Sequence, residues 1–184
     1  MNEKYDFEKK MRADLASVQN GFAELKAQAK HYKIDNHIKQ HVKNVEDLEG
    51  KLNAAKARLK ELEETDDASW EPLREGMEKT WTDLQSSLDN YAFQAKINNE
   101  LELVQARFVE FKAQAHQLKD EAQRLEHARH VADLEHKISA AKAKLRELAE
   151  ADDDALDLVK DGMENVWTEL QSTLENTVTT FKEK

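Results

Sequence analysis

Apolar residues in this chain recur by alternating threes and fours over most of its length. That spacing suits the amphipathic helix with one narrow buried stripe and little else. The first run is Leu15, Val18, Phe22, Leu25, Ala29, Tyr32; after a phase slip near Ile34 it resumes as Val45, Leu48, Leu52, Ala55, Leu59, Leu62. A second run reads Leu101, Val104, Phe108, Phe111, Ala115, Leu118 and then Val131, Leu134, Ile138, Ala141, Leu145, Leu148, with its slip between Leu125 and Val131. Strands and tight turns need clusters of Gly, Pro and β-branched residues, whereas the 184 residues include 4 Gly and 1 Pro and are rich in Lys, Glu, Ala, Leu and Gln. The fold class expected is all-α.

The two runs are one pattern written twice. VQNGFAELKAQAK from Val18 returns as VQARFVEFKAQAH from Val104, so Phe22 maps to Phe108, an offset of 86. The same offset carries Leu48 to Leu134, Ala54, Ala55 and Ala57 to Ala140, Ala141 and Ala143, and Trp81 to Trp167. The chain is therefore read as a tandem duplication: repeat 1 at 5–90, repeat 2 at 91–176 and a C-terminal end at 177–184.

Breaks are expected only at Thr65-Asp66-Asp67 and at Asp152-Asp153-Asp154, where short polar side chains can cap a following helix and their charge suits its N-terminal dipole. Pro72 fits the first turn after the first break. Between Trp70 and Glu150 nothing punctuates the helix, so the reading runs it through the repeat boundary for roughly 80 residues, on the order of 120 Å. The resulting architecture is an elongated rod of long antiparallel coiled-coil hairpins, with three long helices and a continuous central one. Reversal about 66–67 sets Ala55 near Met77 and Leu52 near Trp81; reversal about 153 sets Ala141 near Met163 and Ile138 near Trp167. An alternative bends the first helix near Lys33 to Asn36 and makes compact three-helix repeats like those of spectrin. It ranks second because Lys119-Asp120-Glu121-Ala122, the matching stretch of repeat 2, contains nothing that breaks a helix.

Ala54, Ala57, Ala140 and Ala143 lie beside the seam and are small enough to admit a further helix. Gly76 and Gly162 sit mid-helix, where Gly costs about 1 kcal/mol against Ala, and so suggest close approach of another backbone. Trp70, at the turn, is the candidate for an exposed partner contact or a membrane foothold; Trp81 and Trp167 read as core.

A net charge of -10 argues against nucleic acid as a partner, and no stretch reaches the length of a membrane span. There are no cysteines and no apolar leader behind Met1, so a cytoplasmic protein is expected. His37 with His41, and His127 with His130, stand within one helical turn, but the 86 offset keeps only His41 as His127, and Gln123 replaces His37. Nucleophile motifs, phosphate loops and calcium loops are missing from the sequence as well. No enzyme activity, cofactor or metal is expected.

Asp66-Asp67-Ala68-Ser69-Trp70-Glu71-Pro72-Leu73, followed by Gly76 and Trp81 and preceded by KLNAAKARLKELEE, resembles small uncharacterised bacterial coiled-coil proteins with a Lys/Ala/Glu-rich helix and an Asp-Asp-Ala-Trp turn. That resemblance implies a bacterial origin and no particular activity. The expectation from the residues is a scaffold, spacer or assembly protein acting through other protein helices, a second copy of itself among the candidates. An amphipathic lipid- or granule-surface binder is the alternative, and a His-based metal carrier the third.

Overall fold

The computed structural model describes residues 3–28, 35–151 and 155–182, with side chains described except at 28, 35–38, 40 and 182. Among the described residues there are five α-helices and no strand: α1 Glu3–Gln28, α2 Asp35–Glu64, α3 Trp70–Ala113, α4 Glu121–Glu150 and α5 Leu156–Lys182, with a 3-10 turn at Gln114–Gln117. The chain divides into two compact units, Met1–Ala95 and Lys96–Lys184. Helix α3 contributes to both.

Unit 1 is made of α1, α2 and the first part of α3. Its core holds the stripe residues Leu15, Val18, Phe22, Val45, Leu48, Leu52, Ala55, Leu59 and Leu62 together with Met11, Met77, Leu84 and Tyr91, and Trp81 packs against it. Ala55 and Met77 are both 0% exposed. Burying a Leu in such a stripe stabilises by about 2 kcal/mol, whereas an exposed ion pair gives about 1 or less, so the stripes hold the unit together. The pairs report the register instead. Arg12 Nε lies 2.6 Å from Glu63 Oε1, and Lys26 pairs with Glu49, so α1 runs antiparallel to α2. Asn44 Nδ2 donates to Gln94 Oε1 at 2.9 Å and Lys51 Nζ donates to Ser87 Oγ, making α2 antiparallel to α3.

These contacts correct the expected first helix. Lys26 and Glu49 are 23 residues apart, which on one helix is roughly 35 Å. They touch, so α1 and α2 are neighbours rather than one 60-residue element. The bend proposed near Lys33 to Asn36, and the stripe residues Ala29, Tyr32 and Ile34, lie at or outside the limits of the described residues.

Unit 2 contains the rest of α3 with α4 and α5. Its stripes bury Leu101, Val104, Phe108 and Phe111 on α3, Leu134, Ile138, Ala141, Leu145 and Leu148 on α4, and Met163, Trp167, Leu170 and Leu174 on α5. Lys112 Nζ meets Glu135 Oε1 at 2.6 Å, and Lys137 Nζ meets Glu169 Oε1 at 2.7 Å and Thr173 Oγ1 at 2.9 Å. Helix α4 is thus antiparallel to both of its partners.

The continuous central helix is also corrected. It ends at Ala113, passes through the 3-10 turn and restarts at Glu121 behind Asp120, whose side chain accepts from Ala122 N. The break falls before the phase slip read between Leu125 and Val131, and Leu125 is 57% exposed on α4. The 80-residue spine is therefore absent, since α3 stops at Ala113. In each unit the chain takes the three-helix route that the absence of Gly and Pro had argued against.

Asp66 makes the α2–α3 turn: Oδ1 accepts from Ala68 N at 3.1 Å and from Ser69 N at 2.9 Å. Pro72 follows in the first turn of α3, where a missing N–H leaves no bond unmade. Helix α4 ends at Glu150 with Ala151 extended, and α5 begins at Leu156; the predicted turn at Asp152–Asp154 lies outside the described residues. Among the described residues no helix is long and apolar enough to cross a membrane.

Candidate functional site

Two histidines 86 residues apart occupy stripe positions that otherwise hold apolar residues. His127, on α4, is 2% exposed, and its Nε2 donates to the Phe111 carbonyl at 2.8 Å. Phe111 is in the last turn of α3, whose carbonyls have no partner further along the helix, so the imidazole caps that terminus. The ring stacks on Phe111 at 4.3 Å between centroids and meets the edge of Phe181, on α5, at 5.3 Å. His130 approaches Phe181 at 5.7 Å.

His41, on α2, stacks on Tyr91 of α3 at 5.5 Å, and its Nδ1 is hydrogen-bonded to the Tyr91 hydroxyl. Burial pushes its pKa below the ordinary value near 6.5, and the positive charge of Lys26 adds to that. Each histidine therefore ties α2 or α4 to α3 through an aromatic ring and one hydrogen bond.

Aromatic rings occupy the faces of these imidazoles. Among the described residues no three His, Asp or Glu side chains converge to hold an ion. The side chain of His37, the other half of the pair noted in the sequence, lies outside the described residues. The aromatic surroundings escaped the sequence reading, which tested the histidines against one another and not against Tyr91, Phe111 and Phe181. The usable signal was a histidine kept at the same stripe position in both copies.

The residues singled out for interaction are dispersed. Trp70 is half-buried, with the Phe7 ring at 6.2 Å and the Arg74 guanidinium 5.3 Å over its face, so it is not a free foothold. Ala54, Ala57 and Ala143 are exposed and Ala140 is half-exposed; the third helix of each unit does not cover them. At Gly76 an added Cβ would lie 2.9 Å from Arg58 Nη1, and at Gly162 the nearest atom would be Lys144 Cε at 3.8 Å. Within the chain, then, each glycine faces the end of a flexible basic side chain, not a second backbone.

Large apolar side chains that the units leave uncovered include Leu103 at 67% exposure and Leu158 at 77%. Leu103 lines a groove between α3 and α5 with Val104 and Leu174, edged by Glu100, Arg107 and Glu175. A second groove is lined by Leu118 and Phe181 with Gln117, Lys119 and Gln123. The first is an apolar strip rimmed by charged groups, and the second mixes polar and apolar side chains. Comparison with protein-family models, with curated proteins and with solved structures found no match.

Proposed function

We propose that this chain is a non-enzymatic helical scaffold, spacer or assembly protein, built as two tandem copies and working through helix–helix contacts with other proteins. Equivalent contacts support the tandem reading: Lys26 with Glu49 and Lys112 with Glu135, Lys51 with Ser87 and Lys137 with Thr173, Arg58 beside Gly76 and Lys144 beside Gly162. The observation that carries the functional reading is Leu103. Most stripe residues among those described are buried within a unit, yet repeat 2 places this large apolar residue on the groove between α3 and α5, where repeat 1 has the small polar Ser17. A 67% exposed Leu adds little to the core, and most of its gain comes from a surface that covers it.

Affinity capture from native cells with mass spectrometry tests the proposal. The full chain retains a specific protein that Leu103→Lys loses, with the melting temperature unchanged. Capture of the same proteins by both would remove the groove from the proposal, and capture of none would end the scaffold reading.

A further inference from the structure

The connection between α3 and α4 is built against its own sequence. Ala113 to Glu121 reads AQAHQLKDE, with neither Gly nor Pro, and most of its residues are good helix formers. The helix nevertheless stops. Ala113 is still helical at φ -67, ψ -24; Leu118 is extended at φ -78, ψ 125, and so is Asp120 at φ -84, ψ 132. These φ values already suit a helix, and no described residue has positive φ, so rotation of a few ψ angles around 118–120 restores a continuous helix.

Local bonds hold the turn: Asp120 Oδ1 accepts from Ala122 N at 2.8 Å, Arg124 Nε donates to the Leu118 carbonyl at 2.8 Å, and Leu118 N donates to the Ala115 carbonyl at 3.3 Å. The remainder of the α3–α4 hairpin joins residues farther apart: His127 stacks on Phe111 and donates to its carbonyl, and Lys112 pairs with Glu135. Such packing depends on which side chains meet and is indifferent to whether one chain supplies both.

We infer that residues 114–120 are a hinge through which two copies of this chain exchange α4 and α5. With the hinge straightened, α4 and α5 of one copy pack on the α3 segment of the other that starts at Lys96. A second copy is the occupant because it alone supplies the same Phe111–His127 and Lys112–Glu135 contacts. The exchanged form keeps the side-chain core and gains helical hydrogen bonds at each hinge, and it loses the Asp120 cap, the Arg124 bond to the Leu118 carbonyl and the open Phe111 carbonyl that His127 uses. Protein concentration sets the balance. This deepens the reading above, on which it rests, by naming self-association as one of the helix–helix contacts.

Two hinge variants and a crosslink test it in the full chain. Glu121→Pro puts proline at the first position of α4, where the extended Asp120 before it and the capped start accommodate the ring, while a continuous helix does not. Asp120→Ala removes the cap and favours the straight form. After refolding at high concentration, light scattering shows a dimer fraction that rises on the order of tenfold in Asp120→Ala. It falls by more than a hundredfold in Glu121→Pro, with helicity retained. Because the chain has no cysteine, copies carrying Lys112→Cys refolded with copies carrying Glu135→Cys yield a heterodimer through a short thiol crosslinker. Equal dimerisation of the two hinge variants, dimers without that crosslink, or monomers throughout would each overturn the exchange. Capture of other proteins by Leu103 is read separately and survives any of these results.

Discussion

His41 shows how a single side chain couples a unit to pH. Its imidazole stacks on Tyr91 from α3, while Lys26 from α1, itself paired with Glu49, sets a positive charge nearby. Burial and that charge both favour the neutral ring, so the folded chain binds its proton less readily than the unfolded chain does. The stabilisation is complete above the ordinary value near 6.5 and is lost as pH falls from there through the lowered folded value. Denaturation of the wild type between about pH 7.5 and 5 should therefore lose more stability than His41→Gln does, since carboxylates change little over most of that range. Parallel pH profiles for the two proteins would remove His41 from the account. The glycines give a second test at this scale. Gly162→Ala should stabilise by about 0.5–1 kcal/mol, because the new Cβ meets Lys144 at ordinary contact distance. Gly76→Ala should gain less, because Arg58 must move aside. Urea denaturation of the pair measures the difference.

At the scale of elements, the threefold and fourfold spacing named the buried faces along most of the described helices, with Leu25 and Val131 only part-buried. Leu48, Leu52, Ala55, Leu59 and Leu62 are buried, as are Leu134, Ile138, Ala141, Leu145 and Leu148. Periodicity records which face of a helix is apolar and carries no direct mark of where that face finds its partner. The turn at Asp66 was legible because Asp side chains cap and Pro72 fits a first turn. The turn at 114–120 was not, since a lone Asp120 cap among helix formers is a weak local signal, and burial of Phe111 against α4 and α5 outweighs the helical bonds forgone. A functional site was less legible still: neither Leu103 nor the aromatic faces of His41 and His127 announce themselves without the packed neighbours. If capping sets the α2–α3 turn, Asp66→Ala, which removes the side-chain acceptor of the Ala68 and Ser69 N–H groups and leaves Ser69 only the Asp66 carbonyl, should cost about 1 kcal/mol in thermal or urea denaturation. A cost near zero would mean that the turn is fixed by core packing alone.

For the whole molecule the question is how far two cores behave as one. Unit 1 buries its stripes around Leu48 and Met77, unit 2 around Leu134 and Met163, and α3 supplies helix to both. Removing methylenes from a fully buried Leu costs about 2–5 kcal/mol, and the loss falls first on the residues that packed against it. The tryptophans make this measurable: Trp70 and Trp81 belong to unit 1, and Trp167, 6% exposed, belongs to unit 2. Leu134→Ala in a background carrying Trp70→Phe and Trp81→Phe should shift the urea transition seen by Trp167 to markedly lower concentration. The same Leu134→Ala in a Trp167→Phe background should shift the transition seen by Trp70 and Trp81 less. Leu48→Ala, its counterpart in unit 1, should reverse that order. Equal shifts at both reporters would mean that α3 welds the units into a single cooperative body, so that a partner of the kind proposed for the groove at Leu103 would stabilise unit 1 as much as unit 2.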